Sequence, residues 1–382
     1  MTDGSPPITK HFITSTDPRA DNHAHKLIDI IMVAICAVLA GADSYVDIAD
    51  FGQDREDWLH DFLELPHGIP SEDTFARVFA LLEPRELQRA FAGWIRSVVK
   101  LTGLKLIAID GKTNRRTFGG KNKDGTFTKA LHLVSAFATA NGVALGHVAT
   151  DQKSNEITAI PELLKLLDLK GCLITTDAMG CQGDIAADII ARGGDYLLAV
   201  KGNQGNLYRD IKAAFANPTV PRDTASTEDK GHGRIDTRVC EVITGPAVFE
   251  RMRHNNNWVG LHTIVKVTTT RTATSTGETH TATESRYYIS SDEEPTAARM
   301  NQAAREHWGV ENNLHWTIDM AFREDESRIR TGNAPSNMAT LRHIALNLIR
   351  GDKDRKIGVK ASRLKAARST DYLERLLGLA AV

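Results

Sequence analysis

The chain has 382 residues, 41% of them hydrophobic and 25% charged, which excludes disordered and fibrous classes and leaves length for roughly two or three globular domains. Its formal net charge is −1, from 47 Lys and Arg against 48 Asp and Glu, so no global basic excess advertises a polyanionic partner. The charge is unevenly placed, however: residues 1–100 carry 9 basic and 16 acidic side chains, whereas 342–368 carry 9 basic and 2 acidic.

Cys36, Cys172, Cys181 and Cys240 lie far apart without metal-ligand spacing, which fits a reduced, cytoplasmic protein. The longest apolar stretch, 27–42, is interrupted by Asp29 and is too short to span a bilayer, and residues 1–10 lack a signal-peptide layout. No membrane partner is expected.

In chain order, residues 1–25 read as a tail and 26–102 as an all-helical domain of four or five helices, broken at Gly41, 66–70 and Glu83-Pro84, with Ser71 as an N-cap. After Gly103 the period becomes strand-like, at 104–110, 131–138 and 143–150, suggesting an antiparallel meander. Helices over 158–167, 183–192 and 206–215 then alternate with strands over 172–177 and 196–201, which predicts parallel pairing in an α/β sheet. Residues 103–218 therefore form the first part of a core domain. A β-rich insertion spans 219–291, with strands at 232–242, 259–269 and 284–290; ten threonines between 263 and 283 favour the pleated surface. The second core part, 292–351, holds a long helix from Pro295 to about Trp316 and another over 335–350, and 352–382 is a basic tail or helix.

Two strands run into an aspartate where the chain changes direction, Asp110 in Ile-Asp-Gly-Lys and Asp177 in Thr-Thr-Asp-Ala. Ligands of open α/β sheets bind at the carboxyl ends of strands, so these carboxylates can converge on a hard cation such as Mg²⁺; each can equally begin a turn or cap a helix. On the long helix, positions 307, 308, 311 and 315 share a face, placing Glu311 among aromatic rings. His307, Glu311 and His315 also permit a zinc reading, although a fourth ligand and the HExxH pattern are absent.

Asp110 in IDGK, Asp177 in TTDAMGCQ and Glu311 in HWGVEN together resemble the acidic triad of DDE transposases of bacterial insertion sequences, most of all the ISAs-type branch with its H-repeat-associated relatives. The resemblance extends through GADSYVDIADFG, GIPSEDTFARVF, LHLVSAFATANGVALG, KSNEITAIPELL, GGDYLLAVKGNQG, HGRIDTR, RYYIS and FREDESRIRTGNAPSN. It implies an RNase H-like mixed sheet with the β-rich insertion before the Glu helix, beside the helical amino-terminal domain. It further implies two Mg²⁺ ions, replaceable by Mn²⁺, held by Asp110, Asp177 and Glu311, with Asp110 bridging them. Cleavage at insertion-sequence ends and strand transfer of 3'-hydroxyl ends into target DNA would follow, on double-stranded DNA carrying terminal inverted repeats and with a homodimer at the paired ends. The YREK pattern of a neighbouring branch is not reproduced, since Ala304, His307 and Ile318 occupy its Tyr, Arg and Lys places.

Candidate DNA contacts are Lys201 and Asn203 after the fifth core strand, Arg234 and Arg238 alternating with Asp236 on one strand face beside His232, and Arg323, Arg328 and Arg330 after the Glu helix. His307 is a further candidate on the Glu helix. Trp258 either stacks on a displaced base or covers the insertion's small core. The basic run, with Arg363, Lys365 and Arg368, is read as the electrostatic footprint for DNA. A nuclease or resolvase of the same fold, or a non-catalytic DNA-binding relic, are the competing functions.

Overall fold

The computed structural model describes all residues except 1–5, 21–22, 100–104, 119–129, 151–155, 232, 247–251, 253–257, 276–277 and 380–382. The amino-terminal half begins with α1 (Thr9–Phe12), α2 (Leu27–Leu39), α3 (Tyr45–Asp54), α4 (Glu56–Leu59), α5 (Glu72–Leu81) and α6 (Pro84–Val98). Helix α2 is apolar on all sides and is accordingly buried along its length; its one carboxylate, Asp29, accepts the Leu65 backbone N–H at 3.0 Å. A capping box of Ser44 and Asp47 opens α3, Ser71 caps α5, and Pro84 starts α6. Within the segment read as a tail, Ile8 and Phe12 are buried in the core, so that part of it is not free.

A single nine-stranded sheet follows, in the order β3-β2-β1-β4-β5-β9-β8-β7-β6. Its strands are β1 (Leu106–Thr113), β2 (His132–Ala138), β3 (Val143–Thr150), β4 (Leu173–Thr176), β5 (Asp195–Val200), β6 (Asp223–Gly231), β7 (Arg234–Thr244), β8 (Thr263–Ser275) and β9 (Glu278–Ser290). The β1–β4 and β4–β5 pairs are parallel, linked by the intervening helices α7 (Glu156–Leu164) and α8 (Gly183–Ala191), and the remaining pairs are antiparallel. Leu106 to Ile109 and Leu173 to Thr176 are buried without alternation, as expected of strands covered on both faces.

The β-rich stretch is thus continuous with the core sheet, because β9 pairs with β5 from Leu197↔Ser290 to Val200↔Tyr287. Strand β6 was not anticipated: its sequence, DTASTEDKG, has no apolar alternation, and the strand exists because β7 supplies a ladder from Asp223↔Val242 to Gly231↔Arg234. Helix α9 (Gly205–Ala216) lies between β5 and β6, and the chain ends in α10 (Ala297–His307), a π-helical segment (Val310–His315), α11 (Trp316–Phe322), α12 (Ala334–Gly351), α13 (Val359–Arg368) and α14 (Thr370–Leu377). Among the described residues no helix is long and apolar enough to cross a membrane.

The carboxyl-terminal helices pack back on the amino-terminal ones, with Trp58 Nε1 donating to Glu374 Oε1 at 2.9 Å and Arg55 to Thr370 Oγ1 at 2.6 Å. This packing corrects the reading of the basic run as a DNA footprint for three of its arginines, Arg363 among them. Arg342 is buried against Glu324, Arg350 donates to the carbonyl of Gly142, and Arg363 is only 4% exposed. The Arg363 guanidinium donates to the carbonyls of Val38 and Ala42 and to Asp43, each at 3.0 Å, and to Ala321, while lying 4.4 Å over the Phe322 ring. It joins α2, α11 and α13 and spends four of its five N–H donors inside the fold. Arg363→Ala should therefore lower unfolding stability by on the order of 3 kcal/mol, since it strands buried acceptors. Urea denaturation measures this, and an unchanged midpoint would return Arg363 to the surface.

A second internal tie joins α6, β3 and α12. The Gln88 amide approaches His147 Nε2 at 3.1 Å and donates to Thr340 Oγ1 at 2.7 Å, and His147 Nδ1 lies 3.2 Å from His343 Nδ1. Burial holds His147 down at about 4 and His343 well below its ordinary value, so both are neutral in the fold. In the unfolded chain they take up protons below about 6.5, which the fold refuses. Stability should accordingly fall as pH drops from about 6.5 toward 4, by up to about 1.4 kcal/mol per pH unit for each histidine. Denaturation midpoints that stay constant from pH 7.5 to 5 would contradict this.

Candidate active site

The parallel pairing of β1 with β4 ends at Ile109↔Thr176, so the next residues, Asp110 and Asp177, leave the ladder side by side. Asp110 stands inside β1, which runs on to Thr113 against β2; it does not end the strand. Asp177 follows β4 in a turn in which its Oδ1 accepts the backbone N–H groups of Met179 at 2.9 Å and Gly180 at 3.3 Å. Asn203 secures that turn, donating to the Ala178 carbonyl at 2.6 Å, and Gln204 does so through Cys181 at 2.9 Å. Asn203 is therefore committed to the loop that carries Asp177. Gly111 has to be glycine because a Cβ would lie 2.6 Å from His132 Nε2, which is itself bonded to Glu156 at 2.7 Å.

Glu311 comes from the π-helical segment after α10, where the regular spacing assumed for one long helix breaks. Gly309 allows the segment to close on Thr139, since a Cβ there would collide with that side chain. Asp110 is pushed up to about 7, first by burial and then by the charges of Glu311 and Asp177. Glu311 is raised by its own burial and by Asp177, against the opposing charge of Arg286. The three carboxylates therefore share one electrostatic field.

The helix's histidines meet this centre as neutral groups. His307 Nδ1 lies 2.9 Å from Thr175 Oγ1 and His315 Nδ1 lies 3.6 Å from Asp110 Oδ2; burial lowers each to about 4. Among the described residues, His315 Nε2 is buried without a hydrogen-bond partner. Among the same residues no three His, Cys, Asp or Glu side chains gather closely enough to hold an ion unaided. His307, turned to Thr175, gives the zinc reading no support. The all-oxygen donor set and the raised Asp110 fit a hard divalent cation, whose charge relieves the mutual repulsion that the fold otherwise bears.

Below the carboxylates, Lys112 pairs with Asp319, with Glu324 at 3.0 Å and with Asp325 at 3.8 Å. Burial would raise Glu324, but Lys112 and Arg342 prevail and hold it at about 2. This cluster locks α11 to β1, two residues beyond Asp110. It was missed in the sequence, although Lys112 lies within IDGK and Glu324 within FREDE, because pairing across more than 200 residues leaves no periodic trace.

The remaining sequence candidates fall in different places. Lys201 is exposed just past β5. Arg234 pairs with Asp236 at 3.5 Å and Arg238 with Asp229, on a strand four places from β4, about 19 Å away at ordinary strand spacing. His232 lies outside the described residues. Trp258, 8% exposed, walls a cleft of about 1020 Å³ together with Gln182, Asp184, Gln204 and Asn206; so little free ring supports packing as its role. Arg323 pairs with Glu326 at an exposed left-handed position, φ 51°, and Arg330 donates to the Arg116 carbonyl at 2.9 Å. Arg328 and Arg368 are exposed and have no ion-pair partner among the described residues, and exposed Lys365 lies 4.5 Å over the Tyr372 ring.

Comparison with known proteins gives the family. The "Transposase DDE domain" family model matches residues 102–348, and the "DDE_Tnp_1-associated" model matches 9–95. The chain is 41% identical over 358 residues to the "H repeat-associated putative transposase YhhI" of Escherichia coli (strain K12), covering 92% of each chain. It is 43% identical over 356 residues to the "Putative transposase YncI" of Escherichia coli O157:H7, covering 92% of this chain and 89% of that one. The chain belongs to the DDE transposase family, the enzymes of DNA transposition.

Proposed function

We propose that this transposase carries out metal-dependent cleavage at the ends of an insertion sequence and joins the freed 3'-hydroxyl to target DNA, with Asp110, Asp177 and Glu311 as its catalytic carboxylates. One observation carries the reading: the strand register sets Asp110 beside Asp177, and burial, joined by the charges of Glu311 and Asp177, pushes Asp110 up to about 7. Asp110, Asp177 and Glu311 would together hold Mg²⁺ or Mn²⁺ ions at this centre. Bound there, such ions supply stabilisation of the attacking and leaving oxygens of an in-line displacement at phosphorus. The chain's own work is placement. The Asp177 turn fixes one carboxylate oxygen, the Lys112 cluster fixes the helix that follows Glu311, and neutral His307 and His315 line the site without competing as cations.

The partner is double-stranded DNA, first the terminal inverted repeats and then the target. Pairing two ends calls for at least two copies of the chain, and a homodimer on DNA is the simplest assembly. Of the sequence candidates, exposed Lys201, Arg328, Lys365 and Arg368 are placed to meet phosphates, by sequence-independent contact.

Asp110→Asn, Asp177→Asn and Glu311→Gln should each reduce nicking of a duplex bearing the inverted repeat by more than about 100-fold, since even residues that merely support metal ligands are worth 10–100-fold. Gel-shift affinity for the same duplex should change little. Substantial nicking by any of the three would remove that residue from the catalytic set.

Activity should require Mg²⁺ or Mn²⁺ and survive a zinc-selective chelator, because the donors are carboxylate oxygens. Loss of nicking on zinc removal, restored by zinc alone, would point to His307, Glu311 and His315 instead.

A further inference from the structure

The β5–β9 ladder ends at Val200↔Tyr287, so Lys201 and Arg286 emerge beside each other, next to the strands that deliver Asp110 and Asp177. The edge of the sheet carries two carboxylates and then two cations. The Arg286 guanidinium lies 4.5 Å over the Trp308 ring, and its Nε and terminal nitrogen donate to Glu284 at 3.0 and 3.3 Å. Trp308 is three residues before Glu311 on the helical segment above the sheet.

We infer that Arg286 is a phosphate-binding residue for the reacting DNA strand, held ready by Trp308 and Glu284, and that it takes a phosphate adjoining the one cleaved at the carboxylates. This rests on the transposase reading of that centre. Three features support it. The Arg286 side chain is 35% exposed and that of Glu284 64%, so their ion pair is solvent-screened and readily exchanged for a phosphate. Stacking on an indole leaves the edge of the guanidinium, with its forked donors, free to bind a phosphate bidentately. Lys201 adds a second positive charge on the same side, close enough to act on Glu284. Arg286 in turn acts on Glu311 and His307, so its charge lies within reach of the catalytic field.

The test is a series of duplexes that carry the inverted repeat bordering the coding sequence, each with one phosphate near the cleavage point replaced by a neutral methylphosphonate. Binding and single-turnover nicking are measured for the wild-type chain, Arg286→Gln and Arg286→Lys, with circular dichroism to verify folding. One methylphosphonate position should cost the wild type about ten- to a hundred-fold, the worth of a charge-assisted hydrogen bond, and cost Arg286→Gln nothing further. Arg286→Lys should recover part of the loss. A wild-type interference pattern retained in Arg286→Gln would overturn the assignment, as would wild-type nicking by that variant. A wild type that binds the end but cuts no duplex would defeat the catalytic reading instead, and the binding pattern would still decide the role of Arg286.

Discussion

Everything at this site depends on where one ladder stops. The parallel pairing of β1 and β4 ends at Ile109↔Thr176, and the next residue of each strand is an aspartate. Leu106 to Ile109 and Leu173 to Thr176 are buried on both faces of the sheet, so a slip of one residue would draw the charge of Asp110 into this core. The core therefore fixes the placement of two like charges that would otherwise separate. The turn after β4 adds its own constraint, because the backbone N–H groups of Met179 and Gly180 and the Asn203 amide hold it from both sides.

Repulsion among Asp110, Asp177 and Glu311 could have been quenched by a lysine or arginine set among them. The fold instead keeps its strongest buried cations one layer away, where Lys112 and Arg342 neutralise Glu324, and surrounds the carboxylates with histidines that burial keeps neutral. The consequence is a site that keeps its negative potential, as the proposed binding of a divalent ion requires, with the cost of gathering the charges met by packing elsewhere.

The parts of this arrangement that were legible in the sequence are those with local signatures. Strands over 143–150 and 284–290 and the carboxylates Asp110, Asp177 and Glu311 could be read from apolar runs and from short motifs at direction changes. What escaped were features created by a distant partner. Strand β6 has no apolar pattern and exists because β7 offers hydrogen bonds; Arg363 looks like any lysine- and arginine-rich helix residue until Val38, Ala42 and Ala321 present their carbonyls to it. Charge density along the chain suggested a DNA surface at 342–368, yet clustering in sequence says nothing of direction in space, and three of its arginines point inward. Arg286 was hidden for the converse reason. It is a single arginine on a strand, and its neighbours Trp308 and Lys201 come from other elements.

The continuity of the sheet gives the β-rich stretch a specific consequence. After β5 the chain leaves the core for β6, β7 and β8, and returns as β9 against β5 itself. The strand that closes this excursion is thereby the neighbour of the strand that leads into Lys201, and the helix following it leads within 25 residues from Arg286 to Glu311. One ladder, β1–β4, sets the carboxylates; another, β5–β9, sets the cations. Because the two share only the β4–β5 pairing, variation in β6 to β8 can alter what the positive side of the edge presents while leaving the spacing of Asp110 and Asp177 unchanged. On the proposed function, an extension built onto the sheet can in this way adjust how DNA is held without disturbing the proposed catalytic carboxylates.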